Sequence, residues 1–412
     1  MAKPSIITGL DIGSSTIKIL VAAKKNGEPD FEIMFRGEEP SLGVRRGVII
    51  DVDKVSRIIQ ILVDRARTET GQKINSVFVN IGGSHISCAS SRGMVAVSRA
   101  DRSISKEDVD RVLQEAARAV SLPSNNEILE IFPKEFIVDG VAGIKAAEGL
   151  QGGRLETEIL ILSTFLPYKN NLIQAVLDAG LQILDIVPSS IASASAVLSQ
   201  RQKELGVAIL DIGAGISDLA VFEEGDLVHL AVFPIGSANI TSDVAIGLKT
   251  DVDVAEVIKT QRGSCLFKRR DKKPSGSIQE KIEIEGEEPL IFSQKAITGI
   301  IEARVSEIFE EVQKELKKIS KENLLPSGIV LTGGGARLPK IVELAKKELK
   351  LPCRLGKNFS FPELEEELSY ATVCGLVFKG SESESRGIWR EGGFASAGFT
   401  NKIKKIFKNF LP

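Results

Sequence analysis

The sequence has few of the residues on which metal and nucleophilic chemistry most often depends. Its 412 residues include only 4 cysteines and 2 histidines, and no two cysteines form a Cys-X-X-Cys pair. A zinc site or a disulfide framework is therefore not expected, and a reducing cytoplasm fits. No Gly-X-Ser-X-Gly segment is present, which argues against a serine hydrolase.

The chain also lacks a strong excess of either charge and any long apolar run. Its 53 basic and 55 acidic residues give a net charge of −2, with 43% hydrophobic residues. This composition is typical of a globular protein and disfavours nucleic-acid binding by bulk charge. No apolar run approaches the ~18 residues of a membrane span, and no signal-peptide pattern opens the chain. The length predicts roughly two to three domains.

An internal repeat is the first informative feature. Residues 9–22 read GLDIGSSTIKILVA, the pattern of a strand, a Gly/Ser turn and a second strand, and residues 206–222 repeat it as GVAILDIGAGISDLAVF. Asp11 thereby aligns with Asp211, and Gly13 with Gly213. Two such hairpins predict a duplicated α/β fold whose similar halves enclose a cleft.

The turns of both hairpins suit an anionic ligand. Small residues leave backbone N–H groups free, Ser14 and Ser15 add hydroxyls, and Lys18 adds positive charge. Because Asp11 would repel a bare phosphate, we expect a divalent cation, Mg²⁺ with its waters, to lie between them, and Asp211 repeats the argument. One such turn is more often structural, since tight turns need glycine whatever they bind. Two copies with the same spacing favour a function.

A third glycine-rich turn lies between a predicted strand and a predicted helix. Residues 331–339 read LTGGGARLP, and Gly333, Gly334 and Gly335 would let a flat or charged ligand approach the backbone closely. The turn lacks the Walker lysine and the Gly-X-Gly-X-X-Gly spacing. Taken alone, it is equally consistent with a structural role.

Periodicity predicts the other elements. Strands are expected at 74–81, 126–141, 155–165 and 325–332, and helices at 106–120, 170–179, 252–261, 294–319 and 339–349. The strands and helix between the two hairpins could form a small α+β insert. Residues 379–400 are rich in Gly, Ser, Glu and Arg, which predicts a flexible linker.

The C-terminal segment, residues 401–412, reads NKIKKIFKNFLP and has two distinct helical faces. A lysine-backed apolar stripe is typical of a helix lying in an anionic membrane surface. The alternative is a helix docked on the protein core, against which the polar linker argues. The apolar face carries Ile403, Ile406, Phe407, Phe410 and Leu411, and the other face Lys402, Lys404, Lys405 and Lys408.

The motifs DIGSSTIK, LDIGAGISD and LTGGGAR, in this order, resemble the phosphate-1, phosphate-2 and adenosine motifs of the actin, Hsp70 and sugar-kinase ATPase superfamily. Three further stretches are similar to the bacterial FtsA cell-division family: NIGGSHISCASSRGMV at 80–95, PKEFIVDG at 133–140 and AEVIK at 255–259. The resemblance extends from about residue 5 to residue 376 and includes the C-terminal end. It implies an α/β, actin-like two-lobed fold with an inserted small α+β domain characteristic of FtsA.

The resemblance also implies a division into subdomains. Expected are 1A at 1–83 and 164–197, the inserted 1C at 84–163, 2A at 198–241 and 305–378, 2B at 242–304, the linker at 379–400 and the membrane-targeting helix at 401–412.

ATP and Mg²⁺ are the implied ligands of the cleft. Asp11 and Asp211 would hold hydrated Mg²⁺, and Glu256 and Lys259 would lie near the ribose and base. Without the resemblance, that last pair reads as a surface ion pair at i, i+3. The phosphates would be wrapped by Gly13, Ser14, Ser15, Gly213 and Gly215, with Lys18 and Ser217 nearby, and the adenosine pocket would be lined by Gly334, Gly335 and Ala336, next to Gly333.

The chain departs from the family pattern at two sites. Ala214 and Ile216 replace a Gly and a Thr of the usual DIGGGTTD, which removes a hydroxyl that Ser217 would replace only in part. Ser189 lies where many superfamily members carry an acidic or amide residue that orients the attacking water, and serine is a poor general base. We therefore expect ATP binding with slow hydrolysis, and assign no catalytic residue.

The implied function is to anchor the FtsZ ring to the cytoplasmic face of the bacterial membrane at the division site. The protein would be peripheral, held by its C-terminal helix, and its partners would be FtsZ, further copies of itself in an actin-like filament, the anionic membrane surface and candidate downstream division proteins. Two alternatives are a cytoplasmic actin-like scaffold of a type IV pilus system and, less favoured, a sugar kinase. A kinase would need a carboxylate base in the cleft, and no such residue is identified.

Overall fold

A computed structural model describes residues 5–24, 30–267, 279–282, 290–321 and 324–385. The strands are β1 (Ser5–Ile12), β2 (Thr16–Lys24), β3 (Phe31–Pro40), β4 (Val44–Arg45), β5 (Val48–Ile49), β6 (Ser76–Ile81), β7 (Ser87–Ala96), β8 (Asn126–Val138), β9 (Val141–Ile144), β10 (Arg154–Phe165), β11 (Gln182–Pro188), β12 (Val207–Ile212), β13 (Ser217–Glu223), β14 (Asp226–Phe233), β15 (Gln279–Ile282), β16 (Leu290–Ser293), β17 (Ile329–Thr332) and β18 (Cys353–Leu355).

Helices connect these strands and cover their sheets. They are α1 (Val52–Thr70), α2 (Lys106–Arg118), α3 (Leu166–Asp178), α4 (Ser189–Val197), α5 (Gln200–Leu205), α6 (Ser237–Leu248), α7 (Val252–Arg262), α8 (Gln294–Lys318), α9 (Ile341–Leu349) and α10 (Ala371–Ser385), with a 3-10 turn at Gly334–Arg337.

The first lobe is built on a mixed five-stranded sheet of order β11-β6-β1-β2-β3. β1 and β2 form the first hairpin, in which Asp11 lies opposite Lys18, and β6 runs parallel to β1 on its other side. Because β1 and β2 are covered on both faces, their apolar residues form a nearly continuous buried run. α1, which begins at an Asp51 cap and ends at Gly71 in the left-handed conformation, packs on this sheet.

A separate antiparallel sheet of order β7-β10-β8-β9 follows in the chain. α2 packs on this sheet and begins with a capping box between Ser105 and Asp108. The packing is so close that a Cβ on Gly93 of β7 would lie 2.4 Å from the Val112 carbonyl oxygen of α2. Its apolar face and the sheet enclose a core of their own.

The second lobe repeats the hairpin arrangement of the first. Its sheet has the order β14-β13-β12-β17-β18, and β12 and β13 form the second hairpin with Asp211 opposite Asp218. Helices α6 to α9 contribute to its core, with α8 supplying a long buried stripe. The hairpin β15-β16 leads into α8.

Both expected hairpins are confirmed. The helix expected at 170–179 begins earlier, at Leu166, and the strand expected at 126–141 ends at Val138. Further differences lie near the C-terminus. The strand expected at 325–332 begins only at Ile329, because Gly328 N–H donates to the Leu325 carbonyl in a turn. Part of the predicted linker, from residue 379, is instead helical, since α10 continues to Ser385. The helix persists there because Gly380 and Ser381 are still buried against the first lobe.

The expected subdomain borders do not coincide with the ends of the helices. The proposed 2A/2B borders at 241/242 and 304/305 lie inside the continuous helices α6 and α8. α10, assigned in part to 2A, packs in the core of the first lobe, where Val373, Cys374, Leu376 and Val377 are buried. The linker beyond residue 385 and the membrane-targeting helix at 401–412 lie outside the described residues. Within the described part of the chain, no helix is long and apolar enough to cross a bilayer.

Candidate functional site

The turns of the two hairpins face each other across a cleft of about 520 Å³ between the lobes. They are closed by the same hydrogen bond: Gly13 N–H donates to Thr16 O over 3.1 Å, and Gly213 N–H donates to Ile216 O over 2.9 Å. The turns approach so closely that a Cβ on Gly215 would lie 2.7 Å from Ser14 Oγ. A side chain at this position would displace Ser14 of the facing turn, which accounts for the glycine there.

Asp11 and Asp211 line this cleft near the ends of their strands, each with 7% of its surface exposed. The residues opposite them differ between the two hairpins. In the first hairpin Lys18 lies opposite, with its Nζ 3.9 Å from Asp11 Oδ2, whereas in the second Asp218 lies opposite Asp211 and is also buried. The duplication is therefore symmetric in backbone and asymmetric in charge.

Uncharged donors hold both carboxylates. Asn80 Nδ2 donates to Asp11 Oδ1 over 2.9 Å and to Ser189 Oγ over 3.1 Å, while Asn80 Oδ1 accepts from Ile12 N–H over 2.7 Å. Thr372 Oγ1 donates to Asp211 Oδ2 over 3.1 Å. Both aspartates are thus oriented before any ligand binds.

Burial makes these carboxylates difficult to ionise. It raises the pKa of Asp11, against which the Lys18 charge acts, and together with the Asp11 charge it raises the pKa of Asp211 to about 6, against the hydrogen bonds from Thr372 and Ser193. Burial and the charges of Asp211 and Asp11 raise the pKa of Asp218 well above its usual value. A bound cation would relieve this repulsion.

The donor set of the cleft floor fits a hydrated Mg²⁺. Carboxylate oxygens are hard ligands of the kind that Mg²⁺ prefers, and Mg²⁺ commonly keeps several of its waters. Among the described residues, no three His, Cys, Asp or Glu side chains are grouped closely enough to hold a metal directly. Asp11 and Asp211 are the residues that would hold such an ion, through its waters. When bound, such an ion supplies charge neutralisation for phosphate oxygens.

The third glycine-rich turn packs directly on the second hairpin. Gly333 has φ +83°, and a Cβ there would lie 2.3 Å from Asp211 Oδ1; a Cβ on Gly335 would lie 2.5 Å from Ile212 Cγ2. Around Gly334, by contrast, a Cβ would meet nothing closer than Ser369 Cβ at 4.0 Å. The turn therefore combines packing glycines with open space above Gly334 on the cleft wall.

Glu256 and Lys259 on α7 form the side of the cleft next to this turn. Lys259 is only 5% exposed, and its Nζ donates to Glu256 Oε2 over 2.7 Å, to Thr241 Oγ1 over 2.9 Å and to the Ser237 carbonyl over 3.3 Å. The alternative interpretation as a surface pair does not describe this lysine, since its side chain is buried in the wall of the cleft.

The structure brings most of the expected cofactor residues together. The cleft is lined by Asp11, Gly13, Ser14, Ser15, Lys18, Asp211, Gly213, Gly215, Glu256, Lys259, Gly333, Gly334 and Gly335. Ser217 and Ala336 are not part of this lining. Ser217 is fully buried and its hydroxyl donates to the Ile235 carbonyl over 2.7 Å, and Ala336, 1% exposed, packs in the core of the second lobe. Ser217 is therefore not positioned to replace the missing threonine hydroxyl.

Sequence reasoning missed Asn80, Thr372 and Asp218. Asp218 was detectable, because it stands in the second repeat where Lys18 stands in the first. Asn80 was noted only as the first residue of the stretch at 80–95, with no role in the site, and Thr372 carried no signal. Both reach the site from distant parts of the chain. Ser189, noted as a departure, does line the cleft, and its hydroxyl donates to the Ile81 carbonyl over 3.2 Å.

The membrane residues of the sequence analysis lie outside the described part of the chain: Lys402, Ile403, Lys404, Lys405, Ile406, Phe407, Lys408, Phe410 and Leu411.

Comparisons with known sequences match both the core and the insert. A family model described as cell division protein FtsA matches residues 208–375, and one described as the SHS2 domain inserted in FtsA matches residues 83–163. The cell division protein FtsA of Pseudomonas aeruginosa is 34% identical, covering 93% of this chain and 91% of its own. That of Bacillus subtilis is 37% identical, covering 92% and 84%.

Solved structures match the fold at much lower identity. The type IV pilus biogenesis complex PilM-PilN has a TM-score of 0.64 at 16% identity, covering 91% of this chain and 98% of that chain. The crystal structure of MreB5 of Spiroplasma citri bound to ADP has a TM-score of 0.57 at 13% identity, covering 94% and 99%. The expected actin-like fold with its insert is confirmed.

Proposed function

The chain belongs to the FtsA family of cell division proteins, and from this we propose that it binds Mg²⁺-ATP, self-associates and anchors FtsZ polymers to the cytoplasmic face of the membrane. The observation that carries the nucleotide part is the cleft, in which two matching turns and two oriented aspartates face each other. Backbone N–H groups at such turns bind phosphate, and the paired carboxylates fit a hydrated divalent cation.

We infer slow hydrolysis from the same cleft. The Ser189 hydroxyl donates to the Ile81 carbonyl. Ile216 lines the cleft with a hydrocarbon side chain where the family pattern has a hydroxyl. Neither side chain can act as a general base toward an attacking water. Nucleotide would then act as a switch between conformations, since a ligand held between two lobes favours the closed arrangement.

Self-association and membrane attachment are supported by different features. Self-association is supported by the actin-like fold, which this chain shares with MreB5. The role in division is supported by the FtsA relatives. The tail at 401–412 supplies four lysines at about 1 kcal/mol each near an anionic surface, and five apolar side chains at up to ~1.5–3 kcal/mol each if fully buried. One tail would bind reversibly, and a polymer presenting many tails would bind tightly.

The pilus-scaffold alternative has support only in the fold, because the PilM-PilN complex shares 16% identity with this chain. The FtsA relatives share 34% and 37% over most of the chain. Division is therefore the better-supported function. The same relatives disfavour a sugar kinase, because both are cell division proteins matched over most of the chain.

Equilibrium dialysis with ATP, with and without Mg²⁺, tests the cleft. Asp11→Ala and Asp211→Ala should each abolish most of the Mg²⁺-dependent gain in affinity while leaving the fold intact, because each removes a carboxylate that holds the hydrated cation. Asp226→Ala is a matched control, since this aspartate lies outside the cleft and pairs with Lys145. Unchanged Mg²⁺-dependent affinity in both cleft variants would contradict the assignment, and circular dichroism checks their folding.

A further inference from the structure

The two aspartates of the cleft are held by different lobes. Asp11 is held within its own lobe by Asn80, at the end of β6, which lies beside β1 in the same sheet. Asp211 belongs to the second lobe, yet its partner Thr372 is the second residue of α10, which packs on β1, β2 and β6 of the first. The carboxylate of Asp211 therefore bridges the lobes.

The chain crosses between the lobes immediately before Thr372. Leu368 is buried in the core of the second lobe, and its carbonyl accepts from Gly333 N–H over 3.2 Å and from Thr332 Oγ1 over 3.3 Å. Ala371, three positions later, is buried in the core of the first lobe. The chain also crosses between the lobes after α4, before β12. A rotation of one lobe against the other would therefore involve both crossings, and residues 368–371 lie next to the hydroxyl that holds Asp211.

α10 is fixed to the first lobe by contacts too close for a side chain to intervene. A Cβ on Gly375 would lie 1.7 Å from the Ala192 carbonyl oxygen, one on Gly9 would lie 2.9 Å from the Val373 carbonyl oxygen, and one on Gly380 would lie 2.6 Å from Ile7 Cγ2. Such packing makes α10 and the first lobe one rigid unit. When the lobes separate, Thr372 must move with α10, away from Asp211.

We propose that Thr372 is a positioning residue that couples the relative orientation of the two lobes to Asp211. In the closed arrangement its hydroxyl orients the carboxylate, and in an open one the carboxylate loses this donor. Nucleotide-bound cation and lobe closure then favour each other, because both depend on the same orientation of Asp211. The inference rests on the proposed binding of Mg²⁺-nucleotide in this cleft, and extends it to how the switch is built.

Two substitutions separate the hydroxyl from the shape of the side chain. Thr372→Val removes the donor and keeps a side chain of similar volume, and Thr372→Ser keeps the donor and serves as the matched control. Two measurements are made on the full chain: hydrogen–deuterium exchange at residues 207–223 without nucleotide, and ATP affinity in Mg²⁺ and in EDTA. Urea unfolding confirms that each variant folds.

We expect Thr372→Val to accelerate exchange at 207–223 and to lower the affinity for ATP about tenfold in Mg²⁺ but not in EDTA, the size expected for losing a hydrogen bond to a charged group. Thr372→Ser should remain within about twofold of the parent, well under the cost of a lost hydrogen bond.

The coupling is overturned if Thr372→Val has the same exchange rates and ATP affinity as the parent, or if Thr372→Ser loses as much affinity as Thr372→Val. It is also overturned if Thr372→Val accelerates exchange at 207–223 but leaves the Mg²⁺ dependence of ATP affinity unchanged. A parent chain that does not bind ATP would contradict the proposed function instead, and exchange without nucleotide would still report whether the hydroxyl joins the lobes.

Discussion

Individual buried carboxylates in this protein have opposite electrostatic roles, set by their hydrogen-bond partners. In the cleft, burial raises the pKa values of Asp11, Asp211 and Asp218, and the charges of neighbouring aspartates add to this effect at Asp211 and Asp218. On α2, Asp108 is fully buried but accepts from Ser105, Ser98 and Arg111, and these donors outweigh the burial and hold its pKa well below the usual range. Ionisation of the cleft aspartates is unfavourable until a cation binds, whereas ionised Asp108 stabilises the fold.

Asp108 makes the inserted domain sensitive to acid. Because its folded pKa is depressed, its stabilisation is complete above the ordinary value of about 3.9 and is lost as the pH falls below it. Asp108→Asn should lower the free energy of unfolding by about 1–3 kcal/mol at pH 7, since several donors lose a charged acceptor.

Amide exchange in α2, measured as a function of urea concentration between pH 7 and pH 3, gives the free energy of unfolding of this part of the chain. The gap between parent and Asp108→Asn should narrow as the pH falls through about 4. The control is Glu115→Gln, because Glu115 lies exposed on the same helix and pairs with Arg118. It should change the free energy of unfolding by less than about 0.5 kcal/mol. A gap that stays constant over this pH range would refute the role of Asp108.

At the scale of elements, close packing around glycine defines how α10 and the hairpins meet. Gly375 brings α10 against the backbone of α4, while Gly299 lies exposed in the interior of α8, where a Cβ would meet nothing within 4 Å. The same residue type therefore has opposite consequences on two helices. One glycine is required by packing, and the other only weakens its helix.

Gly375→Ala should destabilise the chain by about 1–3 kcal/mol or more, because its Cβ must displace the Ala192 carbonyl. Gly299→Ala should stabilise it by about 0.5–1 kcal/mol, because alanine restricts the unfolded chain and suits a helix. The midpoints of urea unfolding, compared at equal slope, give both values. A Gly375→Ala midpoint at or above that of the parent would show that α10 is not held against α4 as described.

Local pattern was sufficient for the elements that carry their own signal. Both hairpins follow from a repeated strand-turn-strand motif, and the α2 helix from its apolar spacing and Ser105 cap. The helical character of 379–385 was hidden, because its polar composition gives no sign of burial against the first lobe. Thr372 and Asn80 were equally hidden, since long-range contacts bring them to the aspartates.

At the scale of the whole molecule, the two lobes meet at a cleft whose floor is shared between them. Asp11 and Lys18 come from one hairpin and Asp211 and Asp218 from the other. Thr372 then connects the second of these hairpins to α10. This arrangement suits a protein whose assembly responds to nucleotide, as we propose, because a ligand between the lobes changes the surfaces that neighbouring copies meet.

The central claim is that this chain links FtsZ to an anionic membrane in a nucleotide-dependent way. FtsZ is mixed with anionic liposomes and either the full chain or one ending at Thr400, with and without Mg²⁺-ATP, and the pellet is assayed for FtsZ. A full-length chain with Phe407→Ser and Phe410→Ser keeps the tail charge and isolates the contribution of apolar insertion.

We predict that FtsZ pellets with the full chain, more so with Mg²⁺-ATP because polymers present many tails at once, and not with the chain ending at Thr400. The double serine variant should lose most of this recovery. Equal recovery of FtsZ with the full and shortened chains, or none with either, would contradict the account.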